Sequence, residues 1–453
     1  MEVTKRGLPK GLQKRLREAA KVLEGVQRAR ILSHYDGDGT AAAALLTMTL
    51  LREGMEVHTT LSHHLNAEKV QALAAEEADV LLVSDMGSAQ VDLLEKLKIP
   101  VIVLDHHQPL RDSDKVVQIN PHFFGLSGTK DACGATTAFL LSTSLSDDNL
   151  DLAGIALVGC IADRQHLGGF KGINGMLFGK ALEKGVLRSE RGLALADLSL
   201  EEALVYSVGP YFKGMSGRKD EVTRFLSELG LDAERRFRDL ESDERENLLS
   251  TLSLWLLKQG ARPETVQQLV EERYWYQAYE MYVDDLEAYV NACSRQGEES
   301  LGLALSLGDF SGKEKAEELR KKHWKAVLKG LMTIENDGTF SKDHLQFFYA
   351  DGATLAGSVA GVAMRYLLDQ EKPTLALAVV DGKTKVSARA TDYLIERGVN
   401  LAEALRLGAE AVRGSGGGHN IASGATVPKG KEDKFLEVVD SVVGKQLGKE
   451  AAA

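Results

Sequence analysis

Cysteine is scarce in this chain. The three residues present, Cys133, Cys160 and Cys293, lie far apart and form no Cys-x-x-Cys pair. That excludes a disulfide framework and a paired-thiolate metal site, and leaves buried structural cysteine as the expectation. No apolar run approaches the ~20 residues that a bilayer-spanning helix needs. The first residues, MEVTKRGLPKGLQKRLREAAKVLEG, read as a charged amphipathic helix without the apolar core of a signal peptide. These absences point to a cytoplasmic protein with no membrane partner. Repeats and low-complexity stretches are missing too, apart from a GKEAAA end expected to fray. An excess of basic residues is also lacking: 55 Lys and Arg stand against 66 Asp and Glu, a net charge of -11. A protein that coats nucleic acid non-specifically is therefore not expected. However, 19 acidic and 9 basic residues fall between Asp220 and Glu299, so the remainder is close to neutral and leaves room for a local basic groove.

What is present is an ordinary globular composition, 44% hydrophobic and 27% charged, over 453 residues, a length that suggests two or three domains. Between residues 28 and 165, short apolar runs (ARILS, MEVHTTLS, DVLLVSD, PVIVLD) alternate with helical stretches (TAAAALLTMTLLREG, AEKVQALAAEEA, AQVDLLEKLKI). Continuous apolar strands separated by helices predict a parallel sheet covered on both faces. After about residue 195 the chain reads as helical and acidic, with YWYQAYEMY (274–282) as a helical core stripe or partner surface. Alternation returns with GLMTIEN, LQFFYAD, TLALAVVDG and TKVSARA as strands and GATLAGSVAGVAMRYLLDQ as a helix. The expected fold is α/β: a parallel-sheet domain with an N-terminal helix (1–195), a helical acidic insert (196–300), and a smaller α/β C-terminal domain (301–453).

Each chemically loaded segment follows a strand's C-terminal end, where open α/β sheets build their sites. SHYDGDGT sets His34, Asp36 and Asp38 at alternate positions, with Gly37 and Gly39 permitting a tight path. VSDMGS adds Asp85, VLDHHQP adds Asp105, His106 and His107, and VGCIADRQHLG adds Asp163 after a helical run. Helix capping explains Asp36, Asp38 or Asp85 singly as well as metal ligation does. An Asp-His-His triplet behind an apolar strand has little packing use. A mixed aspartate and histidine set favours Mn2+, with Mg2+ second.

In order, HYDGD, SDMG, LDHH and GCIAD resemble the motifs of the DHH phosphoesterase family. VSARA followed by VRGSGGGHNIASGATV resembles the C-terminal domain associated with many members. Length and the EAYVNACSRQGEESLGLALSLGD region look most similar to archaeal RecJ-like nucleases, a group that includes the GINS-associated nuclease type. The resemblance implies two cations, Mn2+ or Mg2+. Asp36, supported by His34, would bind one; Asp38, His106 and Asp163 the other; Asp85 would bridge. It implies catalytic roles for Asp85, for Asp105, as a ligand or as the group that orients His106, and for His107, in contact with the scissile phosphate. It implies that the metal-binding first domain and the C-terminal domain face each other across a cleft, where Arg389, with Gly416, Gly417, Gly418 and His419 of a glycine-rich loop, would hold the substrate. His63 and His64 are expected as a surface pair, and RKKHWKAVLKG (320–330) as a solvated basic helix face. The implied function is a metal-dependent 5′→3′ exonuclease that releases mononucleotides from single-stranded DNA in replication and repair, with GINS as partner. The alternatives are 3′→5′ digestion of single-stranded RNA, hydrolysis of short oligonucleotides or cyclic dinucleotides, and a replisome scaffold.

Overall fold

The computed structural model describes residues 7–448, so residues 1–6 of the N-terminal stretch and 449–453 of the GKEAAA end lie outside it. The described chain divides into two compact units: one runs up to Glu190 and takes in Glu272–Arg320, the other comprises Arg191–Glu271 and the chain from Lys321 onward. The stretch 196–300, expected as one insert, is thus shared: its first part belongs to the second unit and Glu272 onward to the first.

The first unit is built on five parallel strands, β1 (Arg28–His34), β2 (Glu56–Ser62), β3 (Val80–Ser84), β4 (Val101–Leu104) and β5 (Val116–Ile119), in the order β2-β1-β3-β4-β5. β3 and β4 are buried along their whole length. Alternate residues serve two cores: Val80, Leu82, Ile102 and Leu104 on one face, Leu81, Val83, Val101 and Val103 on the other. This is why the strands read as unbroken apolar runs. On the first face lie the helices Lys10–Leu23, which buries Leu12, Leu16, Ala19 and Leu23 at helical spacing, Gly37–Arg52, Gly134–Leu145 and Ala153–Ala162. Ala41 to Leu46 are fully buried, because small side chains let the helix Gly37–Arg52 sit between β1 and two neighbouring helices. The other face has less helix than expected: AQVDLLEKLKI holds one 3-10 turn (Ser88–Gln90) and one α-turn (Val91–Leu94).

A three-stranded sheet orders β6 (Leu187–Leu193), β7 (Val270–Tyr276) and β8 (Met281–Tyr282). It absorbs YWYQAYEMY as strand, not helix; Tyr274, Tyr276 and Tyr282 are buried, so the core expectation holds at a different period.

The second unit carries β9 (Phe340–Ser341), β10 (Gln346–Tyr349), β11 (Thr374–Val380), β12 (Lys383–Arg389), β13 (Ser415–Gly418) and β14 (Ala422–Pro428) in the order β13-β14-β12-β11-β10-β9. Only β10 and β11 pair in parallel; the other pairs are antiparallel. Leu375, Leu377, Val386 and Val427 face the helices Leu401–Glu410 and Glu432–Gly448, while Phe348 and Ala376 share a core with the helix Ala353–Tyr366 and with helices of 200–258. GLMTIEN is no strand. It lies in the helix Lys313–Asp337, whose buried Leu328, Leu331 and Ile334 recur every third residue. The glycine run 415–418, expected as a loop, is the edge strand β13. All three cysteines are buried and free, and among the described residues no helix is long and apolar enough to cross a membrane.

Candidate metal centre

Four segments converge at the C-terminal edge of the five-stranded sheet. β1 ends on His34; Asp36 then caps the helix Gly37–Arg52, its Oδ1 accepting from Gly39 N at 3.1 Å. Its other oxygen, Oδ2, lies 2.9 Å from His34 Nδ1, so capping and ligation use different atoms and do not compete. Gly37 and Gly39 have negative φ, so the tight path is not what requires them. A Cβ on Gly39 would sit 2.2 Å from His34 O, and one on Gly37 would sit 2.8 Å from Ala162 Cβ. Close approach is the reason for both, of backbone at Gly39 and of the Ala162 methyl at Gly37.

Asp38 is 1% exposed. Its two oxygens accept from Gly134 N at 2.6 Å and Ala135 N at 2.7 Å, the first amides of the helix Gly134–Leu145. A helix N-terminus is where a buried carboxylate is best tolerated. Asp85, just beyond β3, takes φ +54, a region that side chains other than glycine, asparagine and aspartate rarely enter. Strain of this kind persists where the surroundings impose it.

The donors fall into three overlapping groups, each within 4.8 Å: His34 with Asp36 and Asp85; Asp38 with His106 and Asp163; Asp85 with His106 and His107. Asp85 Oδ2 is 3.4 Å from His34 Nδ1, and its Oδ1 is 3.2 Å from His106 Nε2. His106 Nε2 also lies 3.4 Å from Asp163 Oδ2 and 3.6 Å from Asp38 Oδ2. Of the two roles expected for Asp105, ligand or orienter of His106, the second is not what the structure shows: Asp105 holds the His107 ring. Its Oδ1 is 2.8 Å from His107 Nδ1 and accepts from the His106 and His107 amides, while Oδ2 accepts from Ser88 N.

His106 is fixed instead by a backbone carbonyl, Gly128 O, 2.5 Å from its Nδ1. Gln165 Nε2 donates to the same carbonyl, and Asn174 Nδ2 donates to Gln165 Oε1. With its Nδ1 proton given to Gly128 O, His106 keeps the Nε2 lone pair for a cation. Nothing in the sequence marks Gly128, whose glycine is needed because a Cβ would meet His106 O at 1.9 Å. Gln165 and Asn174, buried polar residues near Asp163, were the available signal.

Burial is the largest influence on most of these groups. It raises Asp38, as do the neighbouring Asp85 and Asp163, and it pushes Asp163 up to about 6. Burial also disfavours charge on Asp85, yet its close ion-pair contacts with His106 and His34 hold its carboxyl below the usual range. Carboxylate neighbours outweigh burial at the imidazoles: Asp85, with Asp163 and Asp38, raises His106, and Asp36, with Asp85, lifts His34 to about 10. Asp85 Oδ1 and His34 Nδ1 are buried without a well-formed hydrogen bond. Oxygen and imidazole donors aimed at one another's neighbourhood but not satisfied by one another fit a divalent cation. Ligands must shed protons to bind it. Mn2+ affinity is therefore expected to climb as pH rises from below the Asp163 value of about 6 toward the His34 value of about 10, with proton release. Calorimetric titrations in buffers of different ionisation enthalpy would measure this. A flat affinity with no released protons would mean that the imidazoles are not the counter-charges.

The expected substrate residues lie in the second unit. Arg389, closing β12, pairs with Ala422 of β14; its guanidinium packs on Gly357, where a Cβ would be 2.5 Å from Nη2. Gly416, Gly417 and Gly418 pair with Ala425, Gly424 and Ser423. His419 follows, its amide donating to Ala422 O. Arg389, Gly418 and His419 thus gather at one end of three adjacent strands. Arg320, expected on a solvated basic face, is buried and bonded to Asp285 and Glu317.

Comparison with known proteins matches the DHH family N-terminal domain at residues 28–160, the DHH-CID domain at 198–270 and the DHHA1 domain at 344–445. An uncharacterized protein of Methanocaldococcus jannaschii is 26% identical over 96% of this chain and 100% of its own. The single-stranded-DNA-specific exonuclease RecJ of Thermus thermophilus is 33% identical over 35% of this chain, a match that spans 26% of that protein. The crystal structure of an exonuclease RecJ bound to manganese aligns with a TM-score of 0.58 at 21% identity, over 98% of this chain and 97% of the other.

Proposed function

The chain belongs to the DHH family, with DHH, DHH-CID and DHHA1 domains in that order, and we propose that it is a metal-dependent exonuclease of single-stranded nucleic acid. The observation that carries this reading is Asp85, a carboxylate common to two donor groups that would together hold two cations. Mn2+ suits the mixture of carboxylate and imidazole better than Mg2+. The chemistry that bound cations would supply there is activation of a water and neutralisation of charge on the phosphate being cleaved.

The protein's own groups supply the rest. Asp38, anchored by two helix-terminal amides, and His106, anchored by Gly128 O, are donors that do not have to reorganise. His107 is half exposed and its Nδ1 is held by Asp105, a contact that raises its pKa. Its free Nε2 edge is the group placed to donate to a phosphate oxygen. In the second unit, Arg389 and the amides around Gly416, Gly417, Gly418 and His419 serve the strand's backbone.

Single-stranded DNA digested 5′→3′ to mononucleotides is the first choice, because the relative RecJ is specific for single-stranded DNA. Work in replication and repair with GINS as partner follows from the resemblance to archaeal RecJ-like nucleases. The test is a time course on DNA and RNA strands labelled at either end, with Mn2+ or EDTA, beside Asp36→Ala and a cyclic dinucleotide. Mononucleotides released from one end, and lost with EDTA and with Asp36→Ala, would establish the exonuclease and its polarity. Turnover of cyclic or very short substrates alone would overturn it.

A further inference from the structure

Beside the metal donors stands a pair of stacked rings that ligation does not use. Tyr35 lies between His34 and Asp36 in the chain and is half buried. The His34 ring meets it edge-on, at a centroid distance of 4.9 Å. On Tyr35 lies the His63 imidazole, 3.7 Å away and tilted by 32°. His63 follows Ser62, the β2 residue that pairs with His34, so it stands at the same sheet edge as the donors. Its side chain is 60% exposed, and its Nε2 lies 3.6 Å from Glu299 Oε1. The second histidine, His64, stands farther off, 6.3 Å from His63.

Such a pair does little for stability, since most of the imidazole faces water. Tyrosine under it fixes the plane, and Glu299 restrains its edge, so the outer surface is a preorganised flat ring. Aromatic surfaces of this kind take nucleobases, whose π-faces stack with little regard to sequence. We propose that the Tyr35–His63 stack is the platform for the nucleobase next to the phosphate being cleaved, a role that rests on the phosphodiesterase reading of the neighbouring donors. Tyr35 is the immediate chain neighbour of two donors, His34 and Asp36, which puts the platform within a nucleotide's reach of them. A base must leave its partner and its stack to lie there, so the platform selects unpaired strands over duplex. The base of a long strand and that of a dinucleotide offer the same ring, and both are included in the test.

The experiment compares His63→Ala with the unaltered protein on a ten-nucleotide strand and on a dinucleotide. Each is prepared with every base present and with an abasic residue at either terminus in turn. The unaltered protein is expected to show a KM about tenfold lower when the base at the cleaved end is present. His63→Ala is expected to lose that difference and keep its kcat on the abasic strand, and His63→Phe to restore it. A full difference retained by His63→Ala would overturn the platform. Loss confined to the dinucleotide would assign the platform to short substrates. A second arm, run in EDTA, follows the fluorescence of 2-aminopurine at the same position. Stacking quenches it in the unaltered protein and less in His63→Ala. This arm reads the platform even if no substrate is turned over, in which case the phosphodiesterase reading fails on its own. Equal quenching by both proteins would sink the proposal.

Discussion

Asp85→Asn is expected to lower kcat for Mn2+-dependent phosphodiester hydrolysis by about a thousandfold, and to abolish the rise in melting temperature that Mn2+ brings. Three properties of the site make this the most damaging isosteric change. Asp85 belongs to two of the three donor groups, so one substitution alters both candidate cation positions. It is buried, so no water readily replaces the missing charge. And the two imidazoles it faces, His34 and His106, would meet an amide where they now meet a carboxylate.

The fold should survive, because asparagine enters the left-handed region as readily as aspartate and keeps the φ of +54 without new strain. In the metal-free protein the loss is further softened, since Asp85 now raises the pKa values of Asp38 and Asp163, and its removal relieves that crowding. A metal-induced stabilisation equal to that of the unaltered protein would show that the cations sit elsewhere. Asp36→Asn makes a useful comparison. Asp36 is far more exposed, and its capping oxygen would survive the change, so its effect should be the smaller.

The positions of the donors were legible in the sequence for a simple reason. A parallel sheet writes each strand as an apolar run and each strand end as a change to polar residues. Asp36, Asp85 and the Asp105-His106-His107 triplet therefore announced both their element and its edge. What holds the donors was not legible. His106 is fixed by Gly128 O, and a carbonyl carries no side-chain signature. That Asp105 holds the His107 ring and not the His106 ring is equally hidden, because adjacency in the chain favours neither; the direction in which each ring leaves β4 decides.

The misread elements share another cause. GLMTIEN has strand-forming residues within seven positions, but those positions end a 25-residue helix whose spacing of Leu328, Leu331 and Ile334 prevails over local preference. YWYQAYEMY fits two periods equally over its short length, and pairing between β7 and β8 selects the period of two. GSGGGH contains the usual residues of a turn and is nevertheless a strand. A Cβ on Gly416 would come within 2.7 Å of Leu405 O. Its glycine therefore admits a packed helix, not a bend.

The same close-approach logic yields a second large effect, at a residue with no chemistry of its own. Gly159 lies in the helix Ala153–Ala162, and a Cβ there would fall 2.2 Å from Asp38 Oδ1 and 2.5 Å from Ala135 Cβ. Gly159→Ala gains about 1 kcal/mol of helix propensity. Against that stand overpacking of about 1–3 kcal/mol in a rigid core and the loss of charge-assisted hydrogen bonds worth about 1.5–3 kcal/mol each. The side that must yield is Asp38, whose Oδ1 now accepts from Ala135 N.

The net expectation is a first unit destabilised by about 2–4 kcal/mol, with Mn2+ affinity reduced at least about tenfold because a displaced ligand leaves its cation. Urea denaturation and calorimetric Mn2+ titration measure the two effects separately. Gly179→Ala supplies the contrast. It lies in the exposed part of the helix Gly172–Glu183, and a Cβ there meets nothing within 4 Å, so propensity acts alone and the protein should be unchanged or slightly more stable. If Gly159→Ala behaved like Gly179→Ala, the helix could shift away from Asp38 without penalty. The rigidity that holds Asp38 to its two amides, and through them the donor group, would then not come from this packing.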